Sequence, residues 1–504
     1  MGVKAGLAVL CAALSIPGLA AAQDVTLVAR EGGIVLTGTL QGYDGEFYRI
    51  DTAYGLLTVD GQGVICEGPA CPDLIAPKAV MRIVGSPDAA DLLPALFQAF
   101  ARARGLVYET VAGPGFQARV LDPESRKDLA EVSFTPMAPE LATAALQDGA
   151  ADLKLAFRAE PDLVNHSVAM DALVVLVAPD NPTPEISTVE LAQILAGEVD
   201  NWAQVGGPDM PIVLHALAQE ADLQRALGER LGTQDMAAVR HPDLATLARA
   251  VAMDPWAVAI SGRSEIAPAR RMPLTDSCGF PLLPTALAIK AEDYPLALPV
   301  MLLTPKRRLP LLTREFLDFL RTPEAQAAVS AAGFVDRSAS RQPMTADGLR
   351  LINAIRGAGE DVTLDDLKRL AGIMDGADRV SLTFRFEDGS STLDAQSQDN
   401  LVDLAQLIAV GQFRDQKLVL AGFSDGSGAA QANLALSVER AATVAQELAT
   451  VAPDLAPADL PVVEGFGEAL PMACDETAIG RQLNRRVELW VVPDFTPPAD
   501  APTP

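Results

Sequence analysis

From Met81 onward the chain stops reading as short alternating strands and reads instead as strands followed by helices, which confines most of it to α/β architecture. Arg82–Gly85 is a strand. Ser86-Pro87-Asp88 then carries the signature of a helix start: serine as cap, proline at the first helical position, an acid in the first turn. Leu92, Leu93, Leu96, Phe97 and Phe100 extend it at helical spacing. Glu140–Gln147 is a second helix, stopped at Gly149 and feeding the strand Leu153–Phe157. Ala172–Ala178 is an apolar strand, and Ser187 with Glu190 forms a capping box ahead of Leu191, Ile194 and Leu195.

The stretch before Met81 obeys a different rule. Val25–Ala29, Ile34–Leu40, Phe47–Ile50 and Leu56–Val59 are β-rich runs punctuated by Gly32-Gly33, Asp44-Gly45 and Asp60-Gly61, the dipeptides of hairpin turns. Residues 23–76 are therefore expected to form a small antiparallel β domain. Lys4, the apolar run Ala5–Leu14 and Ala20-Ala21-Ala22 have the form of a signal peptide, residues 1–22, cut before Gln23. Cys11 follows Leu10, which argues against lipid anchoring. No later run of about 18 apolar residues suggests a transmembrane segment. Export implies an oxidising compartment, so Cys66 and Cys71, five positions apart, are expected to pair as a disulfide. Cys278 and Cys474 are left open between pairing and free thiols.

A length of 504 residues calls for several domains, and a formal charge of −27 gives nucleic acid no basic stripe to bind. Any anion site must rest on local donors and dipoles, because the overall field opposes it. Residues 339–379 read as a polar, partly helical connector, residues 380–492 as a further α/β unit, and residues 493–504, rich in proline, as a disordered tail.

The last unit carries the densest motifs. Gly422-Phe423-Ser424-Asp425 and Gly428 are followed by Asn433-Leu434-Ala435-Leu436-Ser437 and Arg440-Ala441. Gly465-Phe466-Gly467-Glu468, Pro471 and Gly480 through Glu488 complete the set. In this order they resemble the OmpA-like peptidoglycan-binding domain. The resemblance implies a ligand, the diaminopimelate of peptidoglycan stem peptides, and assigns Asp425 to its ammonium and Arg440 to its carboxylate. A guanidinium at the border of the helix's apolar stripe is costly unless paired, which fits that role. The plain alternative is a structural ion pair, or Asp425 as a turn residue. Asn484, Arg485 and Arg486 are expected to hold the fold, with a secondary ligand contact open to them. Gly422-Phe423-Ser424-Asp425-Gly426 also spells G-x-S-x-G, but that nucleophile needs a later histidine, and all 3 histidines precede it.

Residues 77–338 contain Gly85-Ser86, Gly113-Pro114-Gly115-Phe116, Asp152 through Arg158, Ile194-Leu195-Ala196-Gly197 with Asn201-Trp202, Tyr294-Pro295-Leu296 and Gly333-Phe334-Val335. These resemble the phosphate-binding type of periplasmic solute receptor, which implies two α/β lobes with ligand between them. Ser86 at a helix start and Arg158 with its paired donors are the candidate oxyanion contacts. The third phosphate loop of that family is replaced by His215 through Asp222, which removes donors and adds Glu220 and Asp222. Weak or absent phosphate binding is therefore expected; tight binding would mean that another segment, such as Ser261-Gly262, replaces the missing loop. The alternative leaves Ser86 a plain cap and Arg158 a salt-bridge partner. Taken together, the sequence reads as a non-enzymatic protein of the periplasm, associated with the cell wall or outer membrane, with neither cofactor nor metal. Peptidoglycan is its expected partner, phosphate or another oxyanion a second ligand. The competing reading is an interaction protein whose middle domain has lost its ligand and docks an envelope protein.

Overall fold

The computed structural model describes residues 25–492 apart from positions 31, 45, 69, 72–77, 114, 220, 358–361, 388–389 and 391. The expected signal peptide and proline-rich tail, with Pro114 and Glu220, lie outside the described residues. The chain divides into two compact units, one of residues up to 79 with 309–314, the other of 80–308 with 315–504.

The first unit is an antiparallel sheet of Val25–Ala29, Val35–Tyr43, Phe47–Thr52, Gly55–Asp60 and Val64–Glu67. The first four follow one another as a meander, and the last pairs back onto Val25–Ala29. Val25, Leu27, Tyr48 and Ile50 turn inward as its core. Cys66 is bonded to Cys71 at the end of the last strand.

In the second unit, the middle domain is a two-lobed α/β fold threaded by one long strand, Val164–Val177. Its first half pairs with Ala297–Thr304, from Val164 opposite Thr304 to Ala172 opposite Ala297. Its second half pairs with Ala257–Gly262, from Leu173 opposite Gly262 to Val177 opposite Val258. The lobes thus meet at Ala172 and Leu173, inside a strand buried from Ser167 onward, which suits the apolar run Ala172–Val177. The first lobe adds the strands Ala79–Gly85, Leu153–Ala156 and Asp128–Pro136, with the helix Leu92–Ala103 packed on Pro323–Ala331. Phe97 stacks on Phe316 there, with ring centroids 4.1 Å apart. The second lobe adds Val213–Leu217 and Val239–His241 and the helices Thr188–Leu195, Asp222–Leu231 and Leu244–Met253.

The C-terminal sheet runs Arg341–Pro343, Asp378–Phe384, Arg486–Val492, Lys417–Phe423, Val462–Gly465. Alternation along its central strand sends Val487, Leu489 and Val491 to one face, against Leu401, Leu404, Val444 and Leu448 of the helices Ala395–Ala409 and Ala430–Val451. Trp490 and Val492 go to the other face. There they meet Ala354, Leu370, Ile373 and Met374, which belong to the segment expected to be a connector. That segment is no linker: its strand edges the sheet and its helices Gly348–Gly357 and Leu364–Met374 form the second covering layer.

This C-terminal layer is bonded to both lobes. On the first-lobe side the Arg321 guanidinium donates to Asp399 and Asp403 (each 3.1 Å), Arg337 donates to Asp403 (2.8 Å), and the Ser167 hydroxyl donates to Gln396 (2.7 Å). On the second-lobe side Cys278 is bonded to Cys474, whose N–H donates to Asp276 (2.8 Å). Between them Arg379 donates to both oxygens of Asp293 (2.5 and 3.2 Å).

Candidate functional site

The pocket of the C-terminal domain depends on how closely a helix can lie on its sheet. A Cβ at Gly422 would sit 1.9 Å from the Ser437 carbonyl oxygen, and one at Gly465 2.4 Å from Val438 Cγ2. Both positions must be glycine for Ala430–Val451 to reach its place. That helix starts a turn before the expected Asn433, so Arg440 lies nearly three turns along it. Asp425 sits in the loop after Lys417–Phe423, buried, and accepts from the Ser427 N–H (3.0 Å).

Arg485 donates to Asp425 Oδ2 (3.1 Å), so this residue, expected mainly to hold the fold, belongs to the pocket. Arg440 lies 5.9 Å from the Phe386 ring centroid, and its buried Nη1 has no hydrogen-bond partner among the described residues. Burial pushes the Arg440 pKa down and the Arg485 charge pushes it further, while Asp425 opposes both. Phe386, Leu436, Gln482 and the guanidiniums of Arg385, Arg440 and Arg485 line a cavity of about 420 Å³. Glu387 adds a carboxylate to this lining, and Asp425 is tied to it through Arg485.

Asn484 and Arg486 serve the fold. Asn484 accepts from the N–H groups of Met472 (2.6 Å) and Ala473 (3.1 Å). Arg486 is fully buried and donates to Glu488 (2.6 Å). Ser424, the serine of the G-x-S-x-G string, is buried, while His166, His215 and His241 lie in the middle domain.

The middle-domain cleft departs from its expected form. Ser86 caps only the short turn Pro87–Ala89, and the α-helix does not start until Leu92. The helix dipole expected at Ser86 is therefore not delivered there. The Ser86 hydroxyl donates instead to Asp88 Oδ2 (3.3 Å). Arg158 donates to Glu229 (2.6 Å). Asp222, expected only to repel an anion, is buried in the first turn of Asp222–Leu231 and accepts from the Phe157 N–H (3.1 Å).

Burial raises the Asp222 pKa, and the Phe157 hydrogen bond and the Arg158 charge partly offset this. Burial pushes Asp88 up to about 6, held down by Ser86 and raised further by the Asp222 charge. A carboxylate of the chain itself thus takes the Phe157 N–H and feels the Arg158 charge. The segment Ser261-Gly262 is committed too, since the Ser261 hydroxyl donates to the Glu265 carbonyl (2.8 Å).

Residues 385–485 match the OmpA family, and residues 141–324 match the PBP superfamily domain. The chain carries an OmpA-family domain joined to a PBP-superfamily domain. Over 113 residues it is 36% identical to outer membrane porin F of Pseudomonas fluorescens, 22% of this chain and 33% of that protein. Over 169 residues it is 24% identical to the phosphate-binding protein PstS of Bacillus subtilis, 33% of this chain and 55% of that protein. An ABC-type phosphate transport receptor from Vibrio cholerae superposes with a TM-score of 0.41 at 19% identity, covering 51% of this chain and 99% of that structure. The chain spans between a third and about half of the length of these two curated relatives. Among the described residues, no helix is long and apolar enough to cross a membrane.

Proposed function

We propose that this is a non-enzymatic cell-envelope protein of the periplasm that grips peptidoglycan through its OmpA-family domain, with Asp425 taking the ammonium and Arg440 the carboxylate of a diaminopimelate side chain. The observation that supports this reading is the buried Arg440 Nη1, without a partner among the described residues, on a cavity also lined by Arg485, the residue that donates to Asp425. A buried donor left unmade costs about 1 to 3 kcal/mol, which a bound carboxylate would recover. In co-sedimentation with diaminopimelate-type sacculi, the full chain is expected to pellet. Asp425→Asn and Arg440→Ala should each weaken binding tenfold or more, because each leaves one ligand charge unmatched. If both variants pellet like the parent, the assigned pocket is wrong.

The middle domain is read as a phosphate-receptor fold whose own oxyanion site is filled from within. Asp222 supports this directly, as it takes the Phe157 N–H that a ligand oxygen would need. A micromolar site is worth about −8 kcal/mol, and losing several hydrogen bonds at about 1 to 3 kcal/mol each brings it to millimolar or nothing. Ser86 and Arg158 carry whatever oxyanion affinity remains. Calorimetric titration of the full chain with phosphate at neutral pH should give millimolar affinity or no heat. A submicromolar constant would overturn this assignment.

A further inference from the structure

A second cavity, about 770 Å³, lies where the middle domain meets the OmpA-family domain. Glu229, Arg230 and Glu292 line it from the middle domain, and Arg385, Gln482 and Arg485 from the other side. The last three also line the cavity beside Arg440, so the two cavities share one wall.

That wall is rigid. Arg385 donates to the carbonyls of Gln482 (3.1 Å) and Leu483 (3.0 Å) in one domain and of Glu292 (3.0 Å) in the other. Its buried Nε has no hydrogen-bond partner among the described residues, with the Glu292 carboxyl 3.8 Å away. Glu292 itself holds a φ of 54°, a strained backbone for a residue with a side chain, and such strain persists where the surroundings fix it. Among the described residues Arg230 has no carboxylate within salt-bridge distance, although its charge acts on Glu292 in the same cavity.

We propose that the middle domain completes the wall-binding site: the cavity lined by Glu229, Arg230 and Glu292 takes the stem peptide beyond its diaminopimelate, with Arg230 receiving the terminal carboxylate. The ligand class follows from the charges. A guanidinium with no carboxylate in contact calls for one, and the acidic groups of the same cavity suit the N–H donors of a peptide. Position follows from the shared wall, since a peptide anchored by Asp425 and Arg440 passes Arg385, Gln482 and Arg485 to reach Arg230. This inference rests on the peptidoglycan reading of the first pocket.

The test uses the full chain and two soluble peptidoglycan fragments, a tripeptide ending at diaminopimelate and a tetrapeptide with one further residue. The parent should bind the tetrapeptide about tenfold more tightly, the increment of a good charge-assisted pair. Arg230→Ala, in the last turn of the helix Asp222–Leu231, should bind both fragments equally and keep the parent's tripeptide affinity. Equal binding of the two fragments by the parent overturns the proposal, as does an Arg230→Ala variant that keeps the preference or loses both ligands alike. Unchanged tripeptide binding by Asp425→Asn would instead overturn the reading of the first pocket, and the proposal with it.

Discussion

Replacing Glu488 with alanine should lower the unfolding free energy of the second unit by about 3 to 5 kcal/mol, the cost of breaking a buried ion cluster from one side. Glu488 has no exposed surface. It accepts from Arg486 Nε (2.6 Å), Arg350 Nη2 (2.6 Å) and Trp490 Nε1 (3.0 Å), with Arg379 Nε at 3.4 Å. Without the carboxylate, three guanidiniums face one another in the core. Urea unfolding at neutral pH measures the loss, and a change under about 1 kcal/mol would show that Asp293 can take over the charge.

The acid limb gives an independent reading. Burial alone would raise the Glu488 pKa, but Arg350, Arg379 and Arg486 outweigh it and hold the carboxyl far below its usual range. A depressed native pKa means that this stabilisation is present above the unfolded value, about 4.3, and is lost as pH falls toward the native one. A Glu488→Gln variant should therefore lose less stability on acidification than the parent.

The second large effect is expected from the Cys278–Cys474 bridge. The bonded residues are 196 positions apart, and closing a loop of that size stabilises by about 5 kcal/mol in the chain-entropy description. Cys278→Ser combined with Cys474→Ser should lower the urea midpoint by a corresponding amount while leaving Cys66–Cys71 intact. Equal midpoints for variant and oxidised parent would mean that the bridge contributes nothing.

What could be read beforehand divides along a physical line. Gly422, Gly465 and Asn484 are dictated by backbone packing inside one domain, so their spacing survives as a motif and the C-terminal domain could be recognised. The pairing of Arg485 with Asp425 spans 60 positions and leaves no local trace. Asp222 looked like a repulsive charge because only the folded chain brings the Phe157 N–H to it. Ser86 met every local rule for an α-helix cap, yet the chain makes a short turn first, and local propensity does not fix where a helix begins to propagate. The layer from 339 to 379 was legible in principle. Leu367, Leu370, Ile373 and Met374 recur at helical spacing, but the polar residues between them read as a linker.

The strand Val164–Val177 threads two lobes, and the OmpA-family domain is bonded to both. Receptors of two-lobed build work by bending at such a crossing, closing on a ligand and opening to release it. Here the bend is splinted. Opening would have to stretch the covalent tie at Cys278 or pull Arg321 and Arg337 from Asp399 and Asp403. Bending at the crossing is therefore opposed by bonds that lie outside the cleft, and a ligand that moved the lobes would have to work against them.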